Sequence, residues 1–249
     1  MLSKSQISLL NSLQHKKFRR KHGLFVVEGY KSIIEFADSG YHIQTIYHTP
    51  DVAPKLLNLS QKINSQEISL IELQKISALK NPADAVGVLK LPHSTVLGYA
   101  AIKNKFSLVL DGVQDPGNMG TIIRTADWFG ISNIICSDDT VDAYNPKVVQ
   151  ATMGSLARIN VSYVDLKKFI LASGIPVFGT LLNGQNIYTT DFGTEGLIVM
   201  GNEGNGISPD IQQLITQAIT VPRVGKAESL NVAIATAICC AQISSKTYK

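Results

Sequence analysis

"FSLVLDGVQDPGNMGTIIRTADWFG", residues 106–130, opens on a continuous apolar run, breaks into a loop rich in Gly and Pro, and closes on a helix-forming stretch. An unbroken apolar run suits a strand covered on both faces, whereas one wet face would impose alternation. Runs of the same kind return as NIIC (133–136), PVFGT (176–180), LIVMG (197–201) and AITV (218–221), with helical stretches between them. This order predicts an α/β fold built on a mostly parallel, doubly wound sheet, whose ligands sit beyond the carboxyl ends of its strands. The residues that follow each run are therefore the ones to read for chemistry.

After FSLVL, two glycines and a proline make a tight loop, Asn118 stands at the helix start, and Arg124 lies about two turns along. The helix is otherwise apolar (Ile122, Ile123, Ala126, Trp128, Phe129), so the arginine is either an exposed residue on a capped helix or one that awaits an anion such as a phosphate. After LIVM, the stretch Gly201-Asn202-Glu203-Gly204-Asn205-Gly206 places three glycines in six residues, as close backbone approach requires. Its spacing is not the G-x-G-x-x-G of dinucleotide binding, which argues against a nicotinamide-dependent oxidoreductase. After AITV, the helix beginning near Glu228 opens with Ser229-Leu230-Asn231, two hydrogen-bonding side chains where one cap would suffice. Three such loops at three strand ends converge on one crevice.

The first ninety or so residues read as a separate small α/β unit. Helices are expected near 3–15, at 29–38, near 52–60 and at 72–79, and strands at 24–28, 43–47, 67–71 and 85–90. The poorly patterned stretch 93–104 is the expected linker, giving domains at 1–92 and 105–249. Residues 1–100 hold 12 Lys and Arg against 7 acids, so the whole excess behind the net charge of +4 is N-terminal. Lys16, Lys17, Arg19, Arg20 and Lys21 crowd around Phe18, which suits phosphate contacts and a stacking surface as well as a plainly solvated stretch.

All five histidines lie in the first hundred residues, so the later part lacks the usual neutral-pH base. Cys136, Cys239 and Cys240 have no metal-ligand spacing, and no metal site is expected. No apolar stretch approaches the ~20 residues of a membrane span, and the start lacks a secretory pattern, so a cytoplasmic protein without membrane contact is expected.

"DGVQDPGNMGTIIRTADWFG", "LIVMGNEGNGIS" and "ITVPRVGKAESLNVAIATAI" resemble, in this order, the three motifs of the SpoU (TrmH-like) branch of the SPOUT RNA methyltransferases. "HGLFVVEGYKSIIEF" and "NPADAVGVLKLP" are similar to the small RNA-binding domain, related to certain ribosomal proteins, that precedes the catalytic domain in many members. The resemblance implies a SPOUT domain with a deep trefoil knot, S-adenosylmethionine as methyl donor, a ribose 2′-hydroxyl of rRNA or tRNA as acceptor, and a homodimer formed through the catalytic domain. By motif match, Asn118, Arg124, Glu203, Ser229 and Asn231 are the implied catalytic residues, with capping a second role for Ser229. Thr180, Leu181, Gly201, Val221 and Leu230 are the implied cofactor contacts. An RNA-binding module of the same fold that has lost catalysis is the alternative, although all three motifs are present.

Two positions depart from the family pattern: Arg223 stands where Met is common, and Ala233 where Ser is frequent. A guanidinium gives up a proton reluctantly and is a poor base. Arg124 is therefore read as a phosphate anchor that stabilises the developing alkoxide, with Asn118, Ser229 or water taking the proton.

Overall fold

The computed structural model describes residues 1–56, 63–92 and 97–245 of the chain. They form two compact units, one built from 1–93 together with 142–157, the other from 94–141 and 158–249. The crossover segment 142–157 thus packs with the N-terminal residues, a pairing that a linear reading of the sequence does not supply.

In the first unit the elements are α1 (Lys4–Ser12), α2 (Lys16–His22), β1 (Leu24–Glu28), α3 (Tyr30–Asp38), β2 (Ile43–His48), α4 (Ala53–Leu56), β3 (Ser65–Glu67), α5 (Leu70–Gln74) and β4 (Ala85–Lys90). The sheet order is β1-β4-β2-β3, with β4 antiparallel to β1 and β2, and β3 parallel to β2. Leu24–Glu28 are buried throughout, which explains their unbroken apolar run, and Leu13, Val26, Ile68, Leu73 and Val86 share the core beside them.

The basic run is itself a helix, α2, which ends at Gly23 in the left-handed region (φ 64°). The strand expected at 67–71 is shorter and earlier. Ser69 and Glu72 form a capping box that opens α5 instead, because each satisfies a backbone N–H that a strand would leave for a neighbour. The helix expected near 52–60 is seen up to Leu56; its remainder, like 93–96 of the expected linker, lies outside the described residues.

The chain continues with β5 (Phe106–Leu110), α6 (Pro116–Trp128), β6 (Asn133–Cys136), then α7 (Pro146–Thr152) within the first unit, β7 (Asn160–Tyr163), α8 (Leu166–Ser173), β8 (Val177–Asn186), β9 (Gly196–Met200), α9 (Pro209–Gln212), β10 (Gln217–Thr220) and α10 (Val232–Ser244). The second unit's sheet has the order β10-β8-β9-β5-β6-β7 with every pair parallel. β5 is the point where the order switches direction, with β6 on one side and β9 on the other. β7 escaped the sequence reading because it is a half-exposed edge strand without an apolar run.

β8 and β10 pair through Ala218 with Gly179 and then Ile219 with Gln185, so residues 180–184 form an excursion opposite one peptide step of β10. Gly184 lies so close that a Cβ there would stand 2.6 Å from the Ile219 carbonyl carbon. α10 packs against α6, and Ser244 Oγ donates to the Phe129 carbonyl at the far end.

Candidate active site

The loop after β5 becomes α6 because Asp115 caps it, accepting from the Asn118 N–H at 2.8 Å, and Pro116 supplies a first residue that needs no N–H partner. Asn118 therefore sits in the first turn of a 13-residue helix. α10 starts similarly. Asn231 is its N-cap, and its Oδ1 accepts from the N–H groups of Ala233 (2.9 Å) and Ile234 (3.3 Å). The cap is thus Asn231 and not Ser229, which lies two residues outside the helix, exposed and without a hydrogen bond among the described residues. The reason is register: only Asn231 immediately precedes the first helical residue.

With its oxygen committed to the backbone, Asn231 must turn its amide nitrogen outward, and Nδ2 donates to Asn118 Oδ1 at 2.9 Å. That contact in turn fixes Asn118, whose Nδ2 donates to Glu203 Oε1 at 2.9 Å. Three loops separated by up to 113 residues are thereby tied into one chain of side chains, anchored on the backbone of α10 and ending on a carboxylate. Two helix N-termini meet there, and their partial positive charges favour the anion that Glu203 supplies. One N–H on each asparagine and one Glu203 oxygen remain uncommitted.

Arg124 is exposed on α6 and its side chain has no hydrogen bond or ion pair among the described residues. It lies six residues beyond Asn118, ~9 Å along the axis. The arrangement therefore offers two oriented asparagine amides at the starts of α6 and α10 and an unpaired guanidinium further along α6.

The glycine-rich loop is organised by Asn202, which the sequence reading passed over. Its Nδ2 donates to the Gly112 carbonyl at 2.6 Å, and its Oδ1 accepts from the N–H groups of Gly204 (2.8 Å) and Asn205 (3.1 Å). The signal was an Asn followed two residues later by Gly, the pattern of an Asx turn. Asp111 assists by accepting from the Ser208 N–H at 2.7 Å. The close approach that Gly201 permits is to the backbone of Gly206 and Ile207 in its own loop, so its need for glycine is already explained without a ligand.

Of the other cofactor candidates, Thr180 Oγ1 donates to the Val199 carbonyl at 2.9 Å and Leu181 packs on the core, whereas Leu230 is exposed and Val221 half-buried. Thr220 Oγ1 reaches the Leu182 carbonyl at 3.2 Å, joining the excursion 180–184 to the end of β10. Cys239 and Cys240 lie inside α10, and burial pushes both thiols up to about 12, too high for a nucleophile; burial raises Cys136 as well.

In the first unit the basic helix divides. Lys17, Arg20 and Lys21 are exposed and Lys16 half-buried. Arg19 is 2% exposed: its Nη1 donates to the carbonyls of Leu13 and Gln14, both at 2.9 Å, and its Nη2 pairs with Asp142 on the crossover segment. Arg19 is accordingly removed from the expected RNA contacts, since a guanidinium so enclosed has a protein partner in place of a phosphate. Among the described residues no group of three or more His, Cys, Asp and Glu is placed to hold a metal, and no helix is long and apolar enough to cross a membrane.

Comparison with known proteins bears on the family and the fold. The SpoU rRNA Methylase family matches residues 105–241, more than half of the chain, and an MRM3-like substrate binding domain matches 4–87. The chain is similar to the 23S rRNA (guanosine(2553)-2'-O)-methyltransferase RlmP of Bacillus subtilis, at 32% identity over 91% of this chain and 90% of that protein. Among solved structures, a TrmH-family protein from Porphyromonas gingivalis is 38% identical with a TM-score of 0.87, over 97% of this chain and 98% of the other. An AdoMet-bound rRNA methyltransferase from Sinorhizobium meliloti is 30% identical, also with a TM-score of 0.87, over 100% and 98%.

Proposed function

Since the chain belongs to the SpoU rRNA methylase family, we propose that it transfers a methyl group from S-adenosylmethionine to a ribose 2′-hydroxyl of structured RNA, with rRNA favoured over tRNA. The observation that carries this reading is the Glu203–Asn118–Asn231 chain, which joins three separate strand-end loops and leaves oriented donors at the start of the helix that carries the unpaired Arg124.

The second unit fits the cofactor by its donor set. Residues 221–230 leave their backbone N–H groups and carbonyls largely uncommitted, suited to an adenine edge, while Leu181, Val221 and Leu230 offer apolar surface. Thr180, Leu181, Gly201, Val221 and Leu230 would hold it, and when bound it supplies an electrophilic methyl on a sulfonium.

The chain's own residues position the acceptor. Arg124 binds the phosphate next to the target ribose and lowers the cost of charge on the 2′-oxygen. Asn118, held by Glu203 and Asn231, orients that oxygen through its free N–H. Ser229 would accept a hydrogen bond from the 2′-hydroxyl, whose proton is released to solvent water. Lys16, Lys17, Arg20 and Lys21 contact RNA phosphates outside the reacting centre.

A trefoil knot is part of this reading, supported by the excursion 180–184 lying across β10 at Ala218 and Ile219. So is a homodimer through the catalytic domain, supported by Trp128 on α6 at 81% and Ile234 on α10 at 51% exposure, apolar groups that a second copy would cover.

The test is transfer of a tritiated methyl group from S-adenosylmethionine to rRNA from cells lacking this protein. Label should enter as a 2′-O-methylnucleoside with the wild type and not with Arg124→Ala. Label on a base, or none, would reject the proposal.

A further inference from the structure

Between β10 and α10, residues 222–230 are all exposed. Such a loop is ordinarily tied down by several hydrogen bonds, because each ordered residue costs about 1–2 kcal/mol of backbone entropy. Here a single side chain supplies the tie. Arg223 Nη1 donates to the carbonyl of Ala227 at 3.0 Å and meets that of Glu228 at 3.5 Å, and residues 221–230 make no other hydrogen bond or ion pair among the described residues. The clasp spans four to five residues and closes the loop on itself immediately before Ser229, Leu230 and the cap Asn231. A methionine, the residue common at this position in the family, has no donor to make it.

We infer that Arg223 is a positioning residue: it preorganises loop 221–231 in the free protein so that Leu230 and the loop backbone receive the cofactor without first having to be ordered. The inference rests on the cofactor reading above. The chemistry follows from the donor: a guanidinium is charged at every accessible pH, carries several N–H groups, and is weakly enough hydrated to hold carbonyl oxygens at a surface. Preorganisation raises affinity by removing the ordering cost from the binding step, so the effect belongs to cofactor binding and not to methyl transfer once the site is full. Arg223 is thereby distinguished from Arg124, whose guanidinium has no protein partner among the described residues.

The test compares wild type, Arg223→Met and Arg223→Lys in the full chain. Hydrogen–deuterium exchange on the free protein should show residues 224–231 exchanging faster in Arg223→Met, with α10 beyond Ile234 unchanged. Calorimetry with S-adenosylmethionine should show affinity lowered roughly three- to tenfold, the scale of one charge-assisted hydrogen bond at a surface. The kcat at saturating cofactor should stay within about twofold, because only a step before saturation is affected. Arg223→Lys, which keeps a cationic donor, should recover most of both effects. Unchanged exchange in Arg223→Met would overturn the clasp. Unchanged cofactor affinity together with weakened RNA binding would overturn it too, making Arg223 a phosphate contact. If the wild type itself fails to bind S-adenosylmethionine, the functional reading falls, while the exchange comparison still decides whether Arg223 orders the loop.

Discussion

Two regions of this chain carry an arginine that sequence reasoning sets against RNA phosphate, and the fold treats them oppositely. On α2, Arg19 turns inward to two carbonyls and Asp142, while Lys17, Arg20 and Lys21 around it stay in water. On α6, Arg124 stays outside with no partner, while the apolar residues on either side of it, Ile122, Ile123 and Ala126, are buried. A run of cations predicts a charged surface only on average. On a seven-residue helix, one position in the run must face the body of the protein, and it needs partners there. A lone arginine in an apolar helix carries the reverse lesson: exposed and without a side-chain partner among the described residues, it stays open to an anion from outside.

Four outcomes would break or sharpen this contrast. Arg124→Ala should lower methyl transfer by about a thousandfold, close to 4 kcal/mol, if it stabilises developing charge. Its urea midpoint should not move, because an exposed side chain without partners contributes little to stability. Arg19→Met should do the opposite. It leaves Asp142 and two carbonyls without their donor and should cost about 3 kcal/mol in urea unfolding, with cofactor affinity intact. Equal destabilisation by the two substitutions would erase the distinction.

Neutralising Lys17, Arg20 and Lys21 together should leave cofactor affinity unchanged and flatten the log–log salt dependence of RNA binding by about 2, at ~0.7 per phosphate contact to a single strand. A wild-type slope would make α2 a merely solvated helix. The smallest effect concerns the thiols. Their pKa values are raised in the folded state, so above about pH 8.5 the unfolded chain loses protons that the folded chain keeps, and stability falls as pH rises. Cys239→Ala should lose less stability than the wild type between pH 7 and 9.5 in urea unfolding. An identical loss would show that the thiol is not protected.

What could be read from the sequence follows the same division. β5, β6 and β9 were legible because both faces of each are covered, which leaves a continuous apolar run, whereas β10, a half-exposed edge strand, was legible from the apolar residues at its end alone. β7 at the sheet edge and α2 under its charges were not, since neither carries the periodicity that burial imposes. In the site, Asn118, Glu203 and Asn231 could be singled out from their loops, but their connection could not: it depends on the amide orientation set by the Ala233 and Ile234 N–H groups. Nor could the cap of α10 be assigned to Asn231 over Ser229, because that choice turns on a two-residue shift in where the helix begins. That the segment 142–157 groups with the first unit could not be read for a related reason, as Asp142 finds its partner Arg19 123 residues away.

The most direct test of the central claim is a transcriptome-wide map of 2′-O-methylated riboses in cells with and without this protein. The account predicts that deletion removes methylation at a defined ribose, that the wild-type gene restores it, and that Arg124→Ala, though folded and present at normal level, does not. An unchanged map, or restoration by Arg124→Ala, would contradict it.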